Sequence, residues 1–201
     1  MYIMKKKILA ACLVVCLLAT AVIGTTLAYF TDTKEVKNTF TTGEVEIVLS
    51  ESKWDQKDAK LIPGKKIEKN PTITVLQNSE PAYVFAKVQW SKDFYDVLNA
   101  YAEKTDKALP VVIEEWFGGF DLSKNIKADM KDGMSFVLSY GVHSPDDDTA
   151  IVFDGVNVPA ELTQEMVKNP KGVYTVDITA YAVQAEGFDN AEAAWNATFG
   201  K

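Results

Sequence analysis

The chain has 201 residues, with 21 basic against 28 acidic side chains and a formal charge of −7 at pH 7. That acidic balance argues against nucleic acid as a partner, and with every basic residue a lysine the bidentate guanidinium grip on phosphate or carboxylate ligands is missing. The length and a hydrophobic content of 47% suit one domain with a sizeable core.

Lys5 to Lys7, the apolar run Ile8 to Ile23, and Thr26-Leu27-Ala28 ahead of the polar Tyr29-Phe30-Thr31-Asp32 have the layout of a secretory signal peptide. Cleavage is expected between Ala28 and Tyr29. An uncleaved anchor has the length but lacks a basic cluster at its far end, and Gly24, Thr25 and Thr26 interrupt it. Leu9-Ala10-Ala11-Cys12 matches a lipobox, yet no usable apolar region precedes it. Both cysteines, Cys12 and Cys16, fall in the signal, so the mature chain is expected to have neither a disulfide nor a thiol nucleophile. Losing Lys5 to Lys7 makes that chain more acidic still, which favours solubility.

From Phe30 to Phe40 the even positions read Phe30, Asp32, Lys34, Val36, Asn38, Phe40, and the odd ones are all polar. The segment reads as extended with little core of its own. After Thr42-Gly43, Val45, Ile47 and Leu49 alternate as in a half-buried strand. Pro63-Gly64 marks a turn. Thr72–Gln77 and Ala82–Trp90 read as strong strands rich in β-branched and aromatic residues, with Val84, Ala86, Val88 and Trp90 on one face.

A helix is predicted over Lys92–Lys104, capped by Ser91, with Phe94, Leu98 and Tyr101 on one side. Val111–Ile113 and Met134–Tyr140 read as strands flanking a bend at Trp116 to Phe120. Ile151–Phe153 is short and apolar, and Glu161–Lys168 reads as a helix with Leu162 and Met166 one turn apart. The last long strand, Val173–Gln184, buries Tyr174, Val176, Ile178, Ala180 and Ala182. Asp189-Asn190-Ala191-Glu192 opens a terminal helix as a capping box, with Phe188 stapled onto Ala193 before Trp195. About seven or eight strands with short helical insertions predict an all-β fold, a jelly-roll-like antiparallel β-sandwich. The domains expected are 1–28 signal peptide, 29–42 N-terminal segment and 43–201 β-sandwich.

Enzyme signatures are sparse. His143, the one histidine, cannot supply a His-Glu-x-x-His site or a Ser-His-Asp triad, and it reads as a surface loop residue. Asp146, Asp147 and Asp148 form a weak calcium candidate without the spacing of a known calcium loop. Glu114-Glu115 on a strand would point to opposite faces and so read as structural. Asn196-Ala197-Thr198 matches a glycosylation acceptor but falls inside the predicted terminal helix. Trp54, Trp90, Trp116 and Trp195 suit core packing better than a carbohydrate platform.

The stretch from Gly24 through Tyr29-Phe30-Thr31-Asp32 to Gly43-Glu44-Val45-Glu46-Ile47 resembles the N-terminus of the TasA/camelysin family, as do Leu61-Ile62-Pro63-Gly64-Lys65-Lys66-Ile67 and Ala180-Tyr181-Ala182-Val183-Gln184-Ala185-Glu186-Gly187-Phe188-Asp189. The resemblance implies a jelly-roll-like sandwich, a signal cut by a SipW-type signal peptidase, and a secreted, extracellular role in biofilm matrix fibres. In such fibres the freed N-terminus enters the next subunit as a donor strand, here Tyr29–Thr42 with Phe30, Val36 and Phe40 on its apolar face. Asp32 and Lys34 on that face need partners. The partners implied are the signal peptidase and further copies of the chain; contact with the membrane is expected only through the signal before cleavage.

Two further classes remain open at the level of sequence: a monomeric surface-binding module or adhesin, and a metalloprotease, as camelysin members have been classed. No catalytic residue and no cofactor is assigned, calcium being the one candidate ion. The ending Ala197-Thr198-Phe199-Gly200-Lys201 has no sortase pattern, so covalent wall anchoring is not expected.

Overall fold

Alternating side chains from Ile67 onward set the inner wall of the molecule: Ile67, Lys69, Pro71, Ile73 and Val75 are buried while the residues between them are not. In the computed structural model, residues 44–53, 60–129, 134–147, 149–169 and 171–200 are described. The chain falls into two units, Met1–Thr42 and Gly43–Lys201, and the described residues all belong to the second. The signal, the Ala28/Tyr29 junction, the segment with Phe30, Val36 and Phe40, and also Trp54 and Asp148, lie outside them.

In chain order the elements are β1 (Ile47–Glu51), β2 (Lys66–Ile67), β3 (Pro71–Val75), β4 (Ala82–Trp90), α1 (Lys92–Thr105), α2 (Leu109–Trp116), a 3-10 turn (Leu122–Lys124), β5 (Asn125–Asp129), β6 (Ser135–His143), β7 (Ala150–Ile151), β8 (Val156–Asn157), β9 (Val176–Gln184) and α3 (Ala191–Thr198). The strand orders are β1-β3-β7, β2-β8 and β5-β6-β4-β9, and every pairing is antiparallel. This is the expected all-β fold with short helical insertions.

The strand β4 sits inside its sheet, fully buried on one face and buried at Phe85 on the other. Val84, Ala86, Val88 and Trp90 join Ile73 and Val75 of the smaller sheet, together with Phe94, Trp116 and Phe117, in the main core. Phe85, on the opposite face, packs with Val137, Ala194 and Trp195 under α3. Each large side chain removed from water contributes about 1.5–3 kcal/mol. Trp90 lies edge-on to Phe117, Phe120 and Phe136 at 5.3, 5.5 and 5.9 Å, so its indole fills the core. Three residues of β4 (Tyr83 to Phe85) face four of β6 (Val142 to Ser139), a bulge that Gly141 accommodates at φ +80°.

Four expectations are corrected. Val111–Ile113 is part of helix α2, because Pro110 starts the helix and Val112, Ile113 and Trp116 form one buried helical face. Glu161–Lys168 is a pair of turns, closed by Leu162 N–H to Pro159 O (3.2 Å) and Met166 N–H to Thr163 O (3.1 Å), which still bury both side chains. The cap of α3 is Asn190 rather than Asp189; its Oδ1 accepts from Ala193 N–H at 2.9 Å. Strand β9 begins at Val176 and its inner face is half-buried, because it is the last strand of its sheet.

Residues 173–175 are held by α1 instead. Ser91 Oγ accepts from Phe94 N–H (3.4 Å) and Thr175 N–H (3.1 Å) and donates to Val173 O (2.6 Å). Asp93 accepts from Val173 N–H at 3.0 Å, and a side chain at Gly172 would press on its carboxylate at 2.7 Å. Ser91→Ala removes the helix cap and the clip on the entry to β9 together. We expect a loss of about 1–2 kcal/mol in urea unfolding, with no change in slope.

Candidate functional site

An antiparallel sheet is finished at an edge only when that edge is short, charged or covered. Strand β1 pairs only with β3, and β9 only with β4, among the described residues. These two edges lie beside each other, one from each sheet, and meet along a seam. Leu49 on β1 is 36% exposed and its neighbour Val48 43%.

One cavity lies beside the seam and another in it. The first, about 530 Å³, is walled by Leu61, Ile67, Phe94, Tyr174 and Val176, with Lys60 and Lys69 adding charge. The second, about 500 Å³, lies between Leu49 and Glu51 of β1 and Val176, Asp177 and Ile178 of β9. Lys69 and Val176 line both, so the cavities are neighbours. Between them Lys69, 8% exposed, meets the Glu51 carboxylate at 2.6 Å. Nearby, Asp154 binds Lys53 at 3.2 Å and Lys66 at 3.6 Å, tying the end of β1 to β2. The hydrogen bond and charge of Lys53, then the charge of Lys66, hold the Asp154 carboxyl below its ordinary range. That tie therefore persists at neutral pH and is lost as the pH falls through the lowered value.

The other sequence candidates are occupied in structural roles. Asp147 accepts from Ser144 N–H at 2.5 Å and closes its own turn, beside an exposed Asp146. Glu114 and Glu115 sit on α2, not on a strand; Glu114 accepts from Leu122 N–H at 3.0 Å and Glu115 binds Lys107 at 2.8 Å. His143 ends β6 rather than lying in a loop, with Nε2 3.1 Å from Tyr140 O. Trp116 and Trp195 are buried among aromatic rings, as is Trp90, and Asn196 is exposed on α3.

A family model described as Camelysin metallo-endopeptidase matches residues 3–105. The chain belongs to this family. No curated protein and no solved structure matches the chain. The family's description implies a metal, and the described residues do not fit a catalytic one: no three His, Cys, Asp or Glu side chains among them gather closely enough to hold an ion. His143, the only histidine in the chain, ends β6.

The Glu51–Lys69 pair was not singled out in the sequence. Its signal was there: Lys69 occupies the buried parity between Ile67 and Pro71, where a lysine needs a partner. Glu51→Gln removes the charge facing a buried ammonium and is expected to cost about 2 kcal/mol in denaturant unfolding. The exposed Lys92–Asp96 pair on α1, broken by Asp96→Asn, should change stability by less than about 0.5 kcal/mol in the same assay.

Proposed function

We propose that this camelysin-family chain is a secreted structural protein of the extracellular matrix, assembling into fibres by strand donation. A SipW-type signal peptidase frees Tyr29, and Tyr29–Thr42 of one copy enters the β1/β9 seam of the next. The observation that carries this reading is the pair of adjacent sheet edges with one cavity between them and a second, more apolar one beside it. An added strand satisfies exposed backbone groups while Phe30, Val36 and Phe40 supply apolar anchors for the seam. Cleavage then doubles as the assembly trigger.

The family's description favours a second reading, peptide hydrolysis with a bound metal. Chelator-sensitive cleavage of a denatured protein substrate by the purified chain, abolished by a chelator and restored by zinc, would establish it. For the structural reading, the test is electron microscopy with size-exclusion chromatography on Tyr29–Lys201 beside a chain lacking Tyr29–Thr42. Filaments from the first and monomers from the second are expected. Monomers from both at high concentration would favour a soluble binding module.

A further inference from the structure

We infer that the Glu51–Lys69 pair is the register lock of the seam, taking Lys34 and Asp32 from the incoming strand of a second copy. The inference rests on the strand-donation reading above. A partly buried ion pair is a poor choice for stability alone, since apolar side chains of similar volume fill such a wall as well or better. Yet Lys69 stands 2.6 Å from Glu51 in a row otherwise made of Ile67, Pro71, Ile73 and Val75.

The segment before β1 carries the matching defect. Its alternate face runs Phe30, Asp32, Lys34, Val36, with two opposite charges between apolar positions. Alone, each defect opposes insertion of a strand; facing each other, they cancel.

The cavities give the order. Lys69 borders both, whereas Glu51 borders only the one shared with Leu49 and Ile178. With Asp32 at Lys69 and Lys34 at Glu51, Phe30 falls toward the apolar cavity of Leu61 and Phe94, and Val36 falls beside Leu49. That order runs the strand antiparallel to β1. A shift of two residues sets Lys34 against Lys69, or Asp32 against Glu51. A slip of one residue turns Thr31, Thr33 and Glu35 inward instead.

The test uses Tyr29–Lys201, which contains every described element. One variant exchanges the donor charges (Asp32→Lys with Lys34→Asp), a second exchanges the seam charges (Glu51→Lys with Lys69→Glu), and a third carries all four changes. Each of the first two alone should need about tenfold more protein to polymerise. Mixed together they should polymerise as the unaltered chain does, because each donor then meets a matching seam on the other variant. The fourfold chain should do likewise.

If the first two variants polymerise normally on their own, the lock is refuted while strand donation stands. Failure of the mixture and of the fourfold chain, with circular dichroism unchanged, also refutes it. If the unaltered chain never polymerises, strand donation itself falls. Should the seam variants not fold, the donor exchange is compared with the neutral Asp32→Asn, Lys34→Gln donor; equal assembly by the two overturns the lock, and weaker assembly by the exchanged donor upholds it.

Discussion

Two sheet edges, β1 and β9, end side by side with no strand between them among the described residues, and the proposed assembly depends on that seam. Every second residue on such an edge turns its N–H and C=O outward, and these groups need water or another strand. The larger sheet is anchored by β4, fully buried on one face, so β9 is held firmly along one side only. The smaller sheet hangs its outermost strand, β1, on β3 in the same manner. A strand added here would extend two sheets whose geometry is already set.

Charge and hydrogen-bonded clips line the seam. Lys69 borders both cavities and its partner Glu51 one of them, and deeper burial of that pair would cost solvation. Ser91 and Asp93, at the start of α1, hold residues 173–175 on the far wall, so the mouth of the apolar cavity has a defined shape. Exposed Asp177 keeps the outside of β9 polar. Such charges on open edges discourage indiscriminate edge-to-edge pairing and leave room for a strand with matching charges.

What was legible in the sequence follows local pattern. Strand β4 is legible residue for residue because Tyr83, Val84, Phe85, Val88 and Trp90 crowd β-branched and aromatic residues into one short stretch, and α1 because its cap and its apolar stripe agree. Helix α2 was missed because Val111, Val112 and Ile113 favour strand, and only Pro110 with Trp116 reveals the helical face. Strand β5 was missed because Asn125–Asp129 is exposed along most of its length and has no apolar alternation. Of the proposed donor and acceptor, the first is a local pattern, the alternation from Phe30 to Phe40. The proposed acceptor is assembled from β1, Lys69 and β9, more than a hundred residues apart at the extremes, and no local pattern announces it.

Insertion of one copy's strand into another copy's seam is tested most directly by cross-linking, because Cys12 and Cys16 are the only cysteines and both precede Tyr29. Tyr29–Lys201 carrying Val36→Cys is mixed with a differently tagged chain carrying Leu49→Cys and oxidised gently. The account predicts a disulfide joining the two tags, since antiparallel placement of Lys34 at Glu51 sets Val36 beside Leu49 within reach of a bridge. Filaments that form without any mixed disulfide would contradict it.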